Sequence, residues 1–263
     1  MPEGDTIFRT ATTLRPAMEG GVIERATVRD GFIEPDSLTG GTVKSIEARG
    51  KHLLMHLSNE HVIHSHMGMT GSWHVYHAGQ PWQKPSEYAA LVLAINRLEV
   101  ICFSPKMLEL LRVDQLRTHR YLRSLGPDLL AGEFDAAAVT QRFRPHNAKP
   151  LGEAVMNQTI VCGIGNIYKS EILFIMGFDP LASVAKFTDD ELTAMLEKAR
   201  WWMRRNLGGP MRVTRYGSAG AGRHWVYGKS GTPCPKCNTT IQLIRQGEAG
   251  RTTCWCPACQ PAR

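Results

Sequence analysis

The sequence has no apolar run near the roughly 20 residues that a helix needs to cross a bilayer. Its opening, Met1-Pro2-Glu3-Gly4-Asp5, lacks the basic flank and apolar stretch of a secretory signal. Both absences predict a cytoplasmic protein with no membrane partner, in a compartment where disulfides are rare. Cysteine is scarce over most of the chain: before Cys234 only Cys102 and Cys162 occur, in apolar settings that predict buried, inert thiols. Acidic residues are in deficit, with 24 Asp and Glu against 31 Lys and Arg, a net charge of +7 and a pI near 9.1. That balance favours an anionic partner. No internal repeat occurs, and the one biased stretch is the Gly/Ala/Ser run at 217–222, which reads as a mobile loop. Apolar residues make up 43% of the chain, enough for a real core and against wholesale disorder.

What is present changes character along the chain. After a helix over 6–18, short runs that alternate apolar and polar residues predict strands at 22–29, 42–48, 52–57, 61–66, 72–77, 88–95 and 98–103. Gly40-Gly41, Asn59-Glu60 and Asn96-Arg97 mark turns between them. This spacing predicts an antiparallel sandwich or barrel. From about Pro105 the pattern reads as helical. Thr188 and Glu191 form a capping box ahead of Leu192, Met195, Leu196, Ala199, Trp202 and Met203, and Gly208-Gly209 ends the run. A second helix follows Asn166 and stops at Gly177; a third starts at Pro150. Trp201 and Trp202 read as core.

Five of the seven cysteines fall in the final 30 residues. Cys234-Pro-Lys-Cys237 and Cys256-Pro-Ala-Cys259 are two copies of one turn, and four convergent thiolates suit a tetrahedral zinc ion. A hairpin, 239–244 with 251–255, links them through 247–250. Cys254 shares a strand face with Cys256 and is a possible competitor; Cys256 is preferred because it completes the second turn. A closed four-thiolate site is structural and does not reveal the chemistry.

Several further motifs occur in order: Arg49-Gly50-Lys51-His52-Leu53, His66-Met67-Gly68-Met69-Thr70-Gly71, Leu125-Gly126-Pro127-Asp128, and Gly163-Ile164-Gly165-Asn166-Ile167-Tyr168-Lys169-Ser170-Glu171. Val226-Tyr227-Gly228 and the cysteine turns follow. With the opening Met-Pro-Glu-Gly-Asp, this series resembles the formamidopyrimidine-DNA glycosylase/endonuclease VIII family over essentially the whole chain, on the endonuclease VIII-like side.

The resemblance implies an α+β multidomain fold: an N-terminal catalytic β-sandwich (1–125), a helical helix–two-turns–helix DNA-binding domain (126–222) and a C-terminal zinc-finger β-hairpin (223–263). It implies a bifunctional glycosylase and abasic-site lyase of base excision repair. Such an enzyme would act as a monomer on double-stranded DNA with damaged bases or abasic sites, with single-stranded DNA as a further substrate, in the bacterial nucleoid. Removal of Met1 leaves Pro2 with a secondary amine, which forms an iminium directly on attacking an aldehyde-like carbon. By resemblance Pro2 attacks sugar C1′ of an extruded nucleotide, Glu3 protonates the ring oxygen, and β- and δ-elimination follow. Lys51 and Arg251 correspond to the lysine and finger arginine that grip phosphates and assist the two eliminations. Asn166 and the glycines before it suit a phosphate at a helix N-terminus, and Met69 is the wedge that fills the vacated stack.

The Pro-Glu-Gly-Asp opening favours oxidised pyrimidines, as does the lack of a Gly-Tyr-Phe pattern before Val226. Gly68-Met69-Thr70 looks instead like the formamidopyrimidine branch and keeps oxidised purines as the alternative. A non-catalytic zinc DNA-binding relative would have no use for Pro2, Glu3 and Lys51 together.

Overall fold

The computed structural model describes residues 2–29, 33–209, 211–216 and 222–263. The chain divides into two compact units, Met1–Ser124 and Leu125–Arg263. In the first, helix α1 (Gly4–Met18) precedes β1 (Arg25–Val28), β2 (Val43–Arg49), β3 (His52–Leu57), β4 (His61–His66), β5 (Ser72–His77), β6 (Ala89–Ile95), β7 (Leu98–Phe103) and β8 (Met107–Arg112). The strands form two four-stranded antiparallel sheets, ordered β1-β6-β7-β5 and β2-β3-β4-β8. Alternation along β6 sends Leu91, Leu93 and Ile95 inward. There they share one core with Ile46, Leu53, Met55 and Ile63 of the other sheet and with Ile7, Ala11, Leu14 and Met18 of α1. This is the expected sandwich. Cys102 lies in that core, and burial pushes its thiol well above the usual range.

β8 corrects the sequence reading, which had turned helical at Pro105. Leu108 and Leu111 are the buried pair of Met107–Arg112. Their spacing of three, among Met, Leu and Glu, imitates a helix face. Pairing with β4 along its full length overrides that local preference.

In the second unit, helices α2 (Ala136–Thr140), α3 (Leu151–Ala154), α4 (Asn166–Met176) and α5 (Asp189–Arg205) lead to a hairpin of β9 (Gln242–Gln246) and β10 (Arg251–Trp255). The capping box of α5 forms as read: Glu191 N–H donates to Thr188 Oγ1 at 3.2 Å, and Thr188 N–H donates to Glu191 Oε2 at 2.9 Å. Its end comes at Asn206, before Gly208-Gly209, because the Asn206 side chain accepts from Val213 N and donates to Tyr168 Oη and Val213 O. The helix after Pro150 is a single turn. Trp202 packs on the core, but Trp201 is half exposed and stacks on the Arg205 guanidinium, which also lies over Tyr216. The core reading of the pair therefore holds for Trp202 alone: adjacent helix positions are about 100° apart, so the two rings cannot share the buried face. The run at 217–222 lies, apart from Gly222, outside the described residues.

Candidate functional site

Helix α1 and strand β2 run in opposite directions. Arg15 Nε donates to Ile46 O at 2.9 Å, Ile46 N donates to Glu19 Oε1 at 2.8 Å, and Gly20 N donates to Val43 O at 2.8 Å. From that crossing the helix rises about 1.5 Å per residue and the strand about 3.3 Å. The start of α1 therefore reaches the end of β2, where Gly50 and Lys51 turn into β3. Glu3 is the residue before the helix; its carbonyl accepts from Thr6 N at 2.9 Å and Ile7 N at 3.1 Å, and its side chain is fully buried. Pro2 beside it is half buried. His52 pairs with His66, and His66 with Met107, so the 67–71 loop and Lys106 leave the sheet at the Lys51 end. One end of the sandwich thus collects Pro2, Glu3, Lys51, Met69 and Lys106.

Two tight turns shape this end. Gly50 has φ +58° at the first position of the two-residue turn that carries the half-buried Lys51. Gly68 has φ +64°, and a Cβ there would lie 2.8 Å from Lys106 Cβ. Between Gly68 and Gly71 the chain sends Met69 outward, 71% exposed, while Met67 is the core methionine. Burial, helped by the neighbouring histidines and Lys51, lowers His52 to about 3. Burial with the charges of Lys106 and Lys51 lowers His66 to about 4. Both rings are neutral at physiological pH. Lys106 is the residue sequence reading missed, because it stands at the start of the strand that had read as helix.

In the second unit the first turn of α4 is buried against β10. Asn166 Nδ2 donates to Thr252 Oγ1 at 3.0 Å, and Lys169 Nζ donates to Thr252 O at 3.0 Å. The exposed Arg251 is the neighbour of Thr252 on β10. The backbone of Arg251, 85 positions from Asn166 in sequence, is thereby held near the N-terminus of α4, with its side chain on the opposite strand face from the Thr252 hydroxyl. The other amide atom of Asn166 is buried with no hydrogen-bond partner. Since the Thr252 hydroxyl can donate as well as accept, it can serve either end of the amide. The free end is the carbonyl oxygen Oδ1; a half-turn of the amide would free the NH2 for an outside acceptor instead.

Glu171, passed over as part of a motif, is the anchor of this region. Its fully buried carboxylate accepts from the Thr214 hydroxyl and from the backbone N–H of Trp225 (2.7 Å), Val226 (2.9 Å) and Tyr227 (2.8 Å). A paired, hydrogen-bonded site of this kind is what a buried carboxylate requires. The -Lys-Ser-Glu- after Asn-Ile-Tyr carried no local signal for it.

The four thiols of Cys234, Cys237, Cys256 and Cys259 lie within 4.8 Å of one another, with Sγ separations of 3.4 Å (237–256), 3.5 Å (237–259) and 3.9 Å (234–259). Tetrahedral zinc with bonds of about 2.3 Å holds sulfurs about 3.8 Å apart, so the donor set fits that ion. Cys254 stands outside the cluster, packed with Phe174, Val226 and Ile241.

Residues 1–110 match the model of the formamidopyrimidine-DNA glycosylase N-terminal domain, and residues 125–214 that of the H2TH domain of the same glycosylase. A probable endonuclease 8 2 of Streptomyces coelicolor is 34% identical over 263 residues, covering 99% of this chain and 94% of its own. A DNA-(apurinic or apyrimidinic site) lyase Nei2 of Mycolicibacterium smegmatis is also 34% identical, over 100% of both. Among solved structures, the MutM (Fpg) protein of Thermus thermophilus superposes with a TM-score of 0.82 at 25% identity over 100% of both chains. Lactococcus lactis Fpg, in a complex with DNA containing an abasic site, superposes with a TM-score of 0.83 at 23% identity, covering 99% of this chain and 100% of that one. The chain belongs to the formamidopyrimidine-DNA glycosylase/endonuclease VIII family.

Proposed function

We propose that the protein is a bifunctional DNA glycosylase and abasic-site lyase that excises oxidised bases, with Pro2 as nucleophile. The observation that carries this reading is the half-buried Pro2 next to the fully buried Glu3 carboxylate, at the sandwich end that also bears Lys51. Family membership supplies the substrate class, and the lyase name of a relative aligned end to end supports the second activity.

With Met1 removed, the Pro2 nitrogen bonds to sugar C1′ as the damaged base departs with its bonding pair. Glu3 gives its proton to the ring oxygen, so the sugar opens to an iminium. That cation acidifies C2′–H; loss of this proton expels the 3′ phosphate, and a second elimination expels the 5′ phosphate. Lys51 contacts a phosphate and gives the proton for β-elimination, and Arg251 grips phosphate oxygens and assists δ-elimination. Asn166, at the α4 N-terminus, takes a neighbouring phosphate once its amide turns the NH2 away from Thr252, and Met69 fills the vacated stack. A zinc ion on Cys234, Cys237, Cys256 and Cys259 would hold the finger closed, so that β10 keeps Thr252, and with it the Arg251 backbone, against α4. The parts 1–125, 126–222 and 223–263 then act as catalytic, helical DNA-gripping and finger parts of a cytoplasmic, nucleoid-associated monomer.

Oxidised pyrimidines are the preferred substrates. In support, relatives named endonuclease 8 2 or Nei2 are 34% identical, against 30–32% for those named formamidopyrimidine-DNA glycosylase. The exposed Met69 between Gly68 and Thr70 favours oxidised purines as the second reading. Borohydride trapping tests both. Processed protein should become covalently fixed to duplexes carrying thymine glycol, and less so to those carrying 8-oxoguanine. A variant retaining Met1 should bind but not trap, because an amide nitrogen has no free lone pair. Equal trapping by the Met1 form would move the nucleophile to a lysine.

A further inference from the structure

The proposed chemistry leaves one buried group of side chains in the sandwich unused. His64 on β4 has no exposed side-chain surface and stands opposite Glu109 on β8 in the strand register. Its Nδ1 lies 2.7 Å from Glu109 Oε1. His119, 12% exposed, brings its Nε2 to 2.8 Å from the same oxygen. Two imidazole nitrogens from different elements therefore aim at one carboxylate oxygen, and one donor atom from each residue lies within 4.8 Å of the others. Behind His64, its Nε2 meets His52 Nδ1 at 2.8 Å.

From this geometry we propose that His64, Glu109 and His119 form a second metal site, a two-histidine, one-carboxylate centre for a zinc-class divalent cation, separate from the cysteine cluster. As the side chains stand, two N–H protons point at a single carboxylate oxygen. On binding a dication each ring keeps its proton and moves it to the nitrogen that faces away from the ion, so the site gains two positive charges, one of them balanced by the Glu109 carboxylate. Zinc bonds to nitrogen and oxygen of about 2.0–2.2 Å at tetrahedral angles separate the ligand atoms by about 3.4 Å. Glu109 has to withdraw by about 0.6–0.7 Å from each ring, and the two ring nitrogens, within 4.8 Å of each other, have to stand about 3.4 Å apart.

For His64 the surroundings meet the usual requirement that a ligating imidazole give its other N–H to a partner. With Nδ1 on the metal, His64 Nε2–H donates to His52 Nδ1, so the existing contact survives with its direction reversed. His119 gives up its longer contact, 3.3 Å from Leu122 N to Nδ1, because a protonated Nδ1 would face that N–H donor to donor; the ring has to turn away from Leu122, which weakens the site. Three protein ligands leave a fourth position for water. Glu109 is the single anionic ligand, and Arg49 and Lys51 lie within electrostatic reach of the histidines. The ion is therefore held less tightly than at four thiolates. Its structural effect is to clip the segment bearing His119 to β4 and β8.

Zinc loading of the full-length protein, read by metal analysis after removal of free ion, tests this directly. Saturated wild type should carry two zinc ions per chain. A chelator titration should release one well before the other. His119→Gln should carry one, retained to the higher chelator concentration. Cys256→Ser should keep the weaker ion, with an X-ray absorption spectrum fitted by nitrogen and oxygen at about 2.0–2.1 Å and no sulfur at 2.3 Å. His64→Ala, if it folds, should behave like His119→Gln. A single zinc in saturated wild type would overturn the proposal, as would a second ion that His119→Gln does not remove. These measurements involve no DNA, so their failure leaves the lyase reading untouched, and failure of borohydride trapping leaves this site untouched.

Discussion

At the scale of single residues, the 67–71 loop shows how two methionines two positions apart take opposite roles. Met67 is 3% exposed and belongs to the sandwich core, whereas Met69 is carried out by the bend at Gly68. A large apolar side chain left in water is a poor core residue and a good wedge, since insertion into a base stack buries it. Met69→Ala should lower excision from damaged duplex by tenfold or more, on the order of 1.4 kcal/mol. Cleavage of a preformed abasic site should change far less, because no base needs unstacking there. Parallel single-turnover assays on the two substrates give the comparison, and equal losses would remove the wedge role.

Among the elements, β2 and β3 set the Lys51 turn, and an ion cluster braces them. Glu47 receives Arg49 Nε at 2.7 Å and faces His56 Nε2 at 3.5 Å. Burial by itself raises the Glu47 carboxyl, but the hydrogen bonds and charges of His56 and Arg49 outweigh it and hold the group at about 2. A carboxyl depressed on folding contributes stability above its unfolded value of 4.5, and that stability is lost as pH falls toward about 2. The side chain is 38% exposed, so solvent screening keeps the contribution small. Glu47→Gln should have a lower Tm than wild type near neutral pH, and the gap should close on acidification through this window. Thermal melts across the range would show it; a gap that stayed constant would rule the cluster out as a source of acid sensitivity.

For the molecule as a whole, the +7 surplus matters through phosphates. Binding should weaken steeply with salt as counterions are released. Lys51→Ala, Asn166→Ala and Arg251→Ala should each reduce the log–log salt slope, by about 0.9 for each phosphate charge neutralised on duplex DNA. Asn166 carries no charge and acts through the helix N-terminus, so its effect on the slope should be the smallest of the three. Binding isotherms at several salt concentrations measure this, and three unchanged slopes would displace all three phosphate assignments.

Local pattern alone determined a good deal of this protein. Strands β3, β4, β5 and β7, the capping box of α5, the stop of α4 at Gly177 and each of the two Cys-Pro-x-Cys turns depend on neighbours within a few residues, and the sequence displays them. The motif series pointed to Pro2, Glu3, Lys51, Asn166 and Arg251 singly. Tertiary structure decided which of these come together: α1 against β2 brings the first three to one sheet end, and β10 against α4 holds the backbone of Arg251 near Asn166. It also decided β8, whose helix-like leucines became a strand by pairing with β4. The same holds for the position of Lys106, for the burial of Glu171, and for the pairing of His64 with Glu109. In each of these cases the deciding partner lies far away in sequence. Burial and strand pairing are contacts between distant segments, and no short window of residues contains both sides of such a contact.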